Sequence, residues 1–214
     1  MNVNEKFVIT INRELGSGGR TVGRKLAEKL GVEYYDKALI KGLQEKYHLS
    51  VEAIEKLKGQ EQGWWADFKR KMTDSFVYSN YYIPKPGDEP ELLETDEVFK
   101  TETEILKGIA EDESCIVAGR SGFYVFRDHP NHLSILIQAP MDFRIERVSR
   151  KQGMSPEEAR KVIDKVDKMR ENYVNRYTKS SRYDTRNYDL VISAEGKTED
   201  EIVEFILQYM NYQP

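Results

Sequence analysis

The sequence predicts an α/β fold, a five-stranded parallel sheet flanked by helices. Three observations lead there. Short β-branched apolar runs alternate with longer segments of helical periodicity. A glycine-rich turn joins the first of these runs directly to a helix. Two capping boxes, Ser155-Pro156-Glu157-Glu158 and Thr198-Glu199-Asp200-Glu201, mark the starts of later helices. Strands alternating with helices call for parallel pairing with both faces of the sheet covered.

The elements follow in order. Phe7-Val8-Ile9-Thr10-Ile11 reads as a buried strand, and Val22, Leu26, Ala27 and Leu30 then recur on one helical face until Gly31 stops the helix. Glu33-Tyr34-Tyr35-Asp36 is a second strand. Residues 37–47 read as a helix, and Ser50 caps the next. Residues 60–95 gather Trp64, Trp65, Phe68, Phe76, Tyr78, Tyr81 and Tyr82, with a loop at 84–90, and read as a helical insertion with an aromatic face. Helix packing, or a homodimer interface, is favoured for the tryptophans over stacking on a base. Asp96 is expected to cap a helix running to about Glu111. Cys115-Ile116-Val117-Ala118, Leu133–Ile137 and Asp189–Ser193 complete five strands, with a helix from about Asp142 after the fourth.

Composition narrows the classes. With 214 residues, 39% apolar and 33% charged, the chain suits one soluble domain. A net charge of −4 gives no general attraction to nucleic acid or an anionic membrane, and no apolar run approaches a membrane span. The start of the chain lacks a signal-peptide pattern. The single cysteine, Cys115, lies in an apolar run and is expected to be buried and inert. A cytoplasmic location is expected. His48, His129 and His132 are too scattered to form a metal site.

Ligands of such sheets bind at the carboxyl ends of the strands. The segment Arg13-Glu14-Leu15-Gly16-Ser17-Gly18-Gly19-Arg20-Thr21 follows the first strand and opens a helix. Glycines let backbone amides close around a phosphate, and the helix dipole adds to the field. The segment therefore reads as a phosphate-binding turn, Arg13, Gly16, Ser17, Gly18, Gly19, Arg20 and Thr21, in a P-loop NTPase fold. Thr21 is expected to meet Mg²⁺. The usual pattern G-x-x-x-x-G-K-S/T has a lysine that this turn lacks, so Arg13 and Arg20 are the available cations. Asp36, just after the second strand, suits a ligand hydroxyl or Mg²⁺, with a helix N-cap as the plainer alternative.

These residues resemble the cytidylate kinase-like family. Ile9 through Arg20 is similar to its opening motif, continued by Leu26-Ala27-Glu28-Lys29-Leu30-Gly31-Val32 and Tyr35-Asp36-Lys37. Gly119-Arg120 resembles the family's Gly-Arg-Asp, with Ser121 in the aspartate position. Leu136-Ile137-Gln138-Ala139-Pro140 with Arg144 and Arg147, the Asp-x-x-Arg of Asp167-Lys168-Met169-Arg170, and Asn187–Ser193 follow in the family's order. The resemblance implies one P-loop kinase domain over 1–214. An acceptor-side helical insertion spans 37–113, and a basic lid region spans 144–186. It implies nucleotide contacts for Arg120, Asp167 and Arg170, and places Asp36 near the acceptor. Gly19 stands where cytidylate kinases carry the P-loop lysine.

The segment 144–186 holds 13 Lys/Arg against 7 Asp/Glu in a chain that is negative overall. Phosphoryl transfer is served mainly by positioning and positive charge. A solvated helix face is the plainer reading of any one of these cations, and an RNA-binding face is the rival for the group; nucleic acid is not the expected partner. The expected activity is transfer of the ATP γ-phosphoryl group to a nucleoside monophosphate, CMP or dCMP first. Arg20, Arg144, Arg147 and Arg170 carry the charge of the transition state, and Asp36, Arg120, Asp167 and Arg170 hold substrate. The alternatives are a kinase of another small acceptor and a nucleotide-binding regulatory protein with little turnover.

Overall fold

The computed structural model describes residues 1–36, 40, 44, 48–58, 64–71, 95–119 and 121–211. Most of the helix expected over 37–47, the loop 84–90, Phe76, Tyr78, Tyr81, Tyr82 and Arg120 lie outside the described residues. The five strands are β1 (Val8–Arg13), β2 (Glu33–Asp36), β3 (Cys115–Ala118), β4 (His132–Gln138) and β5 (Leu190–Ser193). They pair in the order β2-β3-β1-β4-β5, all parallel. β1 is central because both of its faces are apolar: Val8, Ile9 and Ile11 have no exposed surface. Its register pairs Ile11 with Ala118 on one side and with Ile135 on the other, so the strands end together at one edge.

Helices cover both faces. On one, Ile9, Ile11, Ile135 and Ile137 pack with Val22 and Leu26 of α1 (Gly19–Leu30) and Ile202, Val203 and Ile206 of α8 (Glu199–Asn211). Gly31 ends α1 in the left-handed conformation, its amide donating to Ala27 and Glu28. On the other face, Val8, Cys115 and Val117 pack with Ile105, Leu106 and Ile109 of α4 (Asp96–Asp112). Each such aliphatic side chain contributes roughly 1.5–3 kcal/mol by leaving water. Burial pushes the Cys115 thiol up, which keeps it protonated.

Between β2 and α4 lie α2 (Val51–Lys58) and α3 (Trp64–Lys71). Ser50 does cap α2, its hydroxyl accepting from Ala53 at 3.1 Å. Trp64 and Trp65 are buried at the core, ring against ring at 5.7 Å. Trp64 lies so close to α4 that a Cβ on Gly108 would fall 2.3 Å from its ring. Both tryptophans thus pack helices rather than offer a face to a base. The expected cap of α4 shifts by one residue. Thr95 accepts from the Val98 amide at 3.3 Å, and Asp96 stands in the first turn, where its charge suits the helix dipole.

After β3 comes the short α5 (Gly122–Val125), and after β4 the pair α6 (Met141–Gln152) and α7 (Pro156–Thr178). Ser155 and Glu158 form the expected capping box, and Thr198 and Glu201 form the second. α6 and α7 share a small core, Val148 against Ala159, Ile163 and Val166, which also takes in Leu15 of the turn after β1. Among the described residues no helix is long and apolar enough to cross a membrane.

His132 lies in β4 with its Nε2 2.8 Å from the Thr10 hydroxyl. Burial, above all, pushes its pKa down to about 4, although Asp189 opposes this. Between that value and the ordinary 6.5 the unfolded chain binds the proton and the folded chain does not. Stability is therefore full above about pH 6.5 and falls as pH drops toward 4, by roughly 2–3 kcal/mol. Urea unfolding at pH 7.5 and 4.5 checks this, with His132→Gln expected to flatten the dependence.

Candidate functional site

The turn between β1 and α1 is built by glycine conformation. Gly16 and Gly18 sit at φ 87° and 86°, the left-handed region open to glycine at little cost. Ser17 closes the turn, its amide and hydroxyl both reaching the Glu14 carbonyl, at 3.3 and 3.0 Å. No intramolecular hydrogen bond takes up the Gly16 or Gly18 amide among the described residues. Two backbone donors beside the N-terminus of α1 are thus open to an anion.

Neighbours hold the turn on two sides. The Glu14 amide donates to the Ile137 carbonyl at 3.1 Å, and the Glu14 carboxylate accepts from the Ala139 amide at 3.0 Å. A Cβ on Gly16 would fall 2.8 Å from the Arg144 carbonyl, so α6 begins directly against the turn. On the α7 side, Asp167 Oδ1 accepts from the Leu15 amide at 3.0 Å.

Asp167 is the centre of a buried charge cluster. Arg144 Nη1 meets its Oδ2 at 2.5 Å, Arg170 Nη1 its Oδ1 at 3.4 Å, and Arg182 Nη1 its Oδ1 at 3.5 Å. Arg144 also lies 3.7 Å from Glu14. The Arg182 side chain is wholly buried and donates to Asn12 Oδ1 at 3.2 Å and to the Arg13 carbonyl. Arg170 donates to that same carbonyl at 3.2 Å. Burial, then the charges of Arg13 and Arg182, push the Arg170 pKa down, a mark of crowded cations.

The other expected residues fall nearby. Arg147 packs against Gly18 and pairs with Glu199. Arg20 pairs with the buried Asp36 at 2.7 Å. Ser121, after β3, is held at φ 54° with its hydroxyl buried and without a hydrogen-bond partner among the described residues. Arg13, Arg20, Asp36, Arg144, Arg147, Asp167 and Arg170 are thus gathered around one turn. Sequence reasoning missed Arg182, Glu14 and Asn12. Arg182 was one cation among 13, and no spacing distinguishes it. A groove of about 450 Å³ lined by Phe99, Lys107, Tyr124 and His129 shares no residue with the turn.

Thr21, expected at Mg²⁺, lies in the first turn of α1. α1 begins at Gly19, immediately after the last left-handed glycine of the turn. In G-x-x-x-x-G-K-S/T the hydroxyl is the second residue past that glycine, and here this is Arg20, already paired with Asp36. Thr21 is one residue further along α1. Arg20 carries no oxygen donor, so the hydroxyl nearest in register is that of Thr21.

A five-stranded parallel sheet in this order, with a glycine turn leading from its central strand into a helix, defines a P-loop NTPase. The particular family follows from comparison: the chain belongs to the cytidylate kinase-like family, whose profile matches residues 8–195. A cytidylate kinase of Methanopyrus kandleri is 26% identical over 91% of this chain and 88% of its own length. That of Pyrococcus horikoshii is 25% identical over 88% and 80%. Among solved structures, an uncharacterized protein of Eubacterium ventriosum superposes with a TM-score of 0.71 at 23% identity, covering 97% of this chain and 100% of its own. A shikimate kinase of Bacteroides thetaiotaomicron gives 0.51 at 14% identity, covering 96% and 98%. These two likenesses concern the fold.

Replacing Asp167 by alanine strands Arg182 as a buried, uncompensated charge and leaves Arg144 only the more distant Glu14. The expected loss is roughly 3–5 kcal/mol, read as a lower urea midpoint. Glu157→Ala breaks only the exposed pair with Lys161 and should leave the midpoint within error.

Proposed function

We propose that this chain is an ATP-dependent kinase that transfers the γ-phosphoryl group to a nucleoside monophosphate, with CMP or dCMP the first acceptor to test. The observation that carries the reading is the pair of open amides at Gly16 and Gly18 within a ring of guanidinium groups, at the carboxyl edge of the sheet. The naming of two relatives as cytidylate kinases, over most of both chains, supports the acceptor.

In this reading the turn from Arg13 to Thr21 cradles the donor phosphates. Backbone donors and arginines placed before the reaction lower the cost of developing charge. An oxygen of the acceptor phosphate attacks Pγ, the bond from Pγ to the β,γ-bridging oxygen breaks, and ADP leaves with that electron pair. The acceptor phosphate is already ionised, so no general base is required. Arg147 and Arg170 border the turn and exchange a carboxylate or carbonyl for phosphate oxygen. Asp36, Arg120 and the Ser121 hydroxyl serve the acceptor. Arg144, expected at the transition state, and Asp167, expected at substrate, act through the turn that they hold. The Thr21 hydroxyl is the donor of the turn proposed for the Mg²⁺ that such kinases use.

A second reading has its own support. Arg144, Arg147 and Arg170 already have anionic or carbonyl partners, which suits a nucleotide-binding protein with little turnover. A panel of nucleoside monophosphates and small hydroxylated acceptors, with ATP and Mg²⁺ and ADP release as readout, separates the cases. Turnover with CMP or dCMP is the expected result. Turnover only with another acceptor rejects the cytidylate assignment, and tight ATP binding with no turnover favours the second reading.

A further inference from the structure

Two departures of the turn from the P-loop pattern touch each other. Counting from Gly18 as the last glycine of G-x-x-x-x-G-K-S/T, Gly19 holds the lysine position and Arg13 holds that of the first glycine. A Cβ on Gly19 would lie 2.7 Å from Cβ of Arg13 and 3.3 Å from its Cγ, with Ile137 Cβ also at 3.3 Å. A Cβ on Gly119, just past β3, would lie 2.7 Å from Arg13 Nη1. The arginine stem therefore passes against Gly19, and its guanidinium ends at Gly119, at the carboxyl ends of β1 and β3. Any side chain at 19 would displace it.

The arginine is fixed at its root and uncommitted at its tip. Its carbonyl accepts from Arg170 and Arg182, and its amide donates to Asn12 Oδ1 at 2.9 Å. Among the described residues no carboxylate closes an ion pair on its guanidinium. Burial, above all, pushes its pKa down; Asp36 opposes this, and Arg182 and Arg20 add to it. A half-buried cation without a carboxylate of its own, rooted at the start of the turn that carries two open amides, is suited to an anion.

We infer that Arg13 and Gly19 are a compensating pair. Arg13 supplies, from the end of β1, the charge that a P-loop lysine supplies from the start of the helix, and Gly19 is glycine to let it pass. Its ligand is the terminal phosphate of the bound nucleotide. The inference rests on the phosphate-binding reading of the turn. It assigns the lysine's role to Arg13 rather than to Arg20, which Asp36 engages at 2.7 Å.

The test is a set of variants whose nucleotide affinity is measured by calorimetry on the full chain with ATP, ADP and adenosine. Arg13→Met keeps the stem without the charge. It is expected to weaken ATP binding about tenfold or more, ADP less and adenosine hardly at all, with an unchanged melting temperature. Gly19→Lys alone is expected to weaken ATP binding by a similar factor, because the new side chain meets Arg13. The double variant Arg13→Gly with Gly19→Lys recreates the G-x-x-x-x-G-K pattern and is expected to recover ATP affinity to within about threefold of the parent. Unchanged ATP affinity in Arg13→Met, or a double variant no tighter than the weaker single, overturns the inference and leaves the phosphate turn standing. A parent chain that binds no ATP overturns both.

Discussion

The carboxylate of Asp167 is the constraint on which the site depends. It joins three parts of the chain that lie far apart in sequence: the turn through the Leu15 amide, α6 through Arg144, and the segment after α7 through Arg182. A glycine turn is soft, because left-handed glycines give the backbone freedom as well as access. Here that freedom is removed from outside, by Asp167 on one flank and by the backbone of β4 on the other. The turn keeps the amides that a phosphate needs while its shape is set by its neighbours.

The same cluster makes α6 and α7 a support as well as a cover. Arg144 and Arg182 are buried because Asp167 and Glu14 compensate them, and a buried charge without such partners is costly. The remaining cations of this region divide by position. Those on the outer faces pair along the helix with Glu146, Glu157 and Asp164, all exposed, and add little. Those at the turn, Arg147 and Arg170, border Gly18 and the Arg13 carbonyl. A local excess of positive charge read from composition is thus two populations with different roles.

Much of the fold was legible because it depends on local chemistry. The capping boxes at Ser155 and Thr198 read the same in both views, since a hydroxyl and a carboxylate three residues apart satisfy orphan amides wherever the helix goes. The short β-branched apolar runs of β1, β3 and β4 suit buried parallel strands, and the alternation with helices supports that reading. The cap of α4 was misread by one residue, because Thr95 and Asp96 are both good caps and sequence alone does not rank them. The two tryptophans stayed ambiguous until Gly108 was seen to leave a gap that Trp64 fills.

The site was legible as a turn but not as a network. The sequence by itself determined that a glycine-rich turn of phosphate-binding type follows the first strand, that no lysine stands in it, and that arginines are abundant nearby. Those properties are local in the chain, or are simple counts. Only the tertiary structure decided that Arg144 and Asp167 hold the turn, that Arg182 belongs to it, and that Arg13 passes against Gly19. Ion pairs 23 and 15 positions apart, and hydrogen bonds that reach back more than a hundred positions to the turn, leave no spacing to read, and the clearance beside a missing Cβ exists only once two backbones have met.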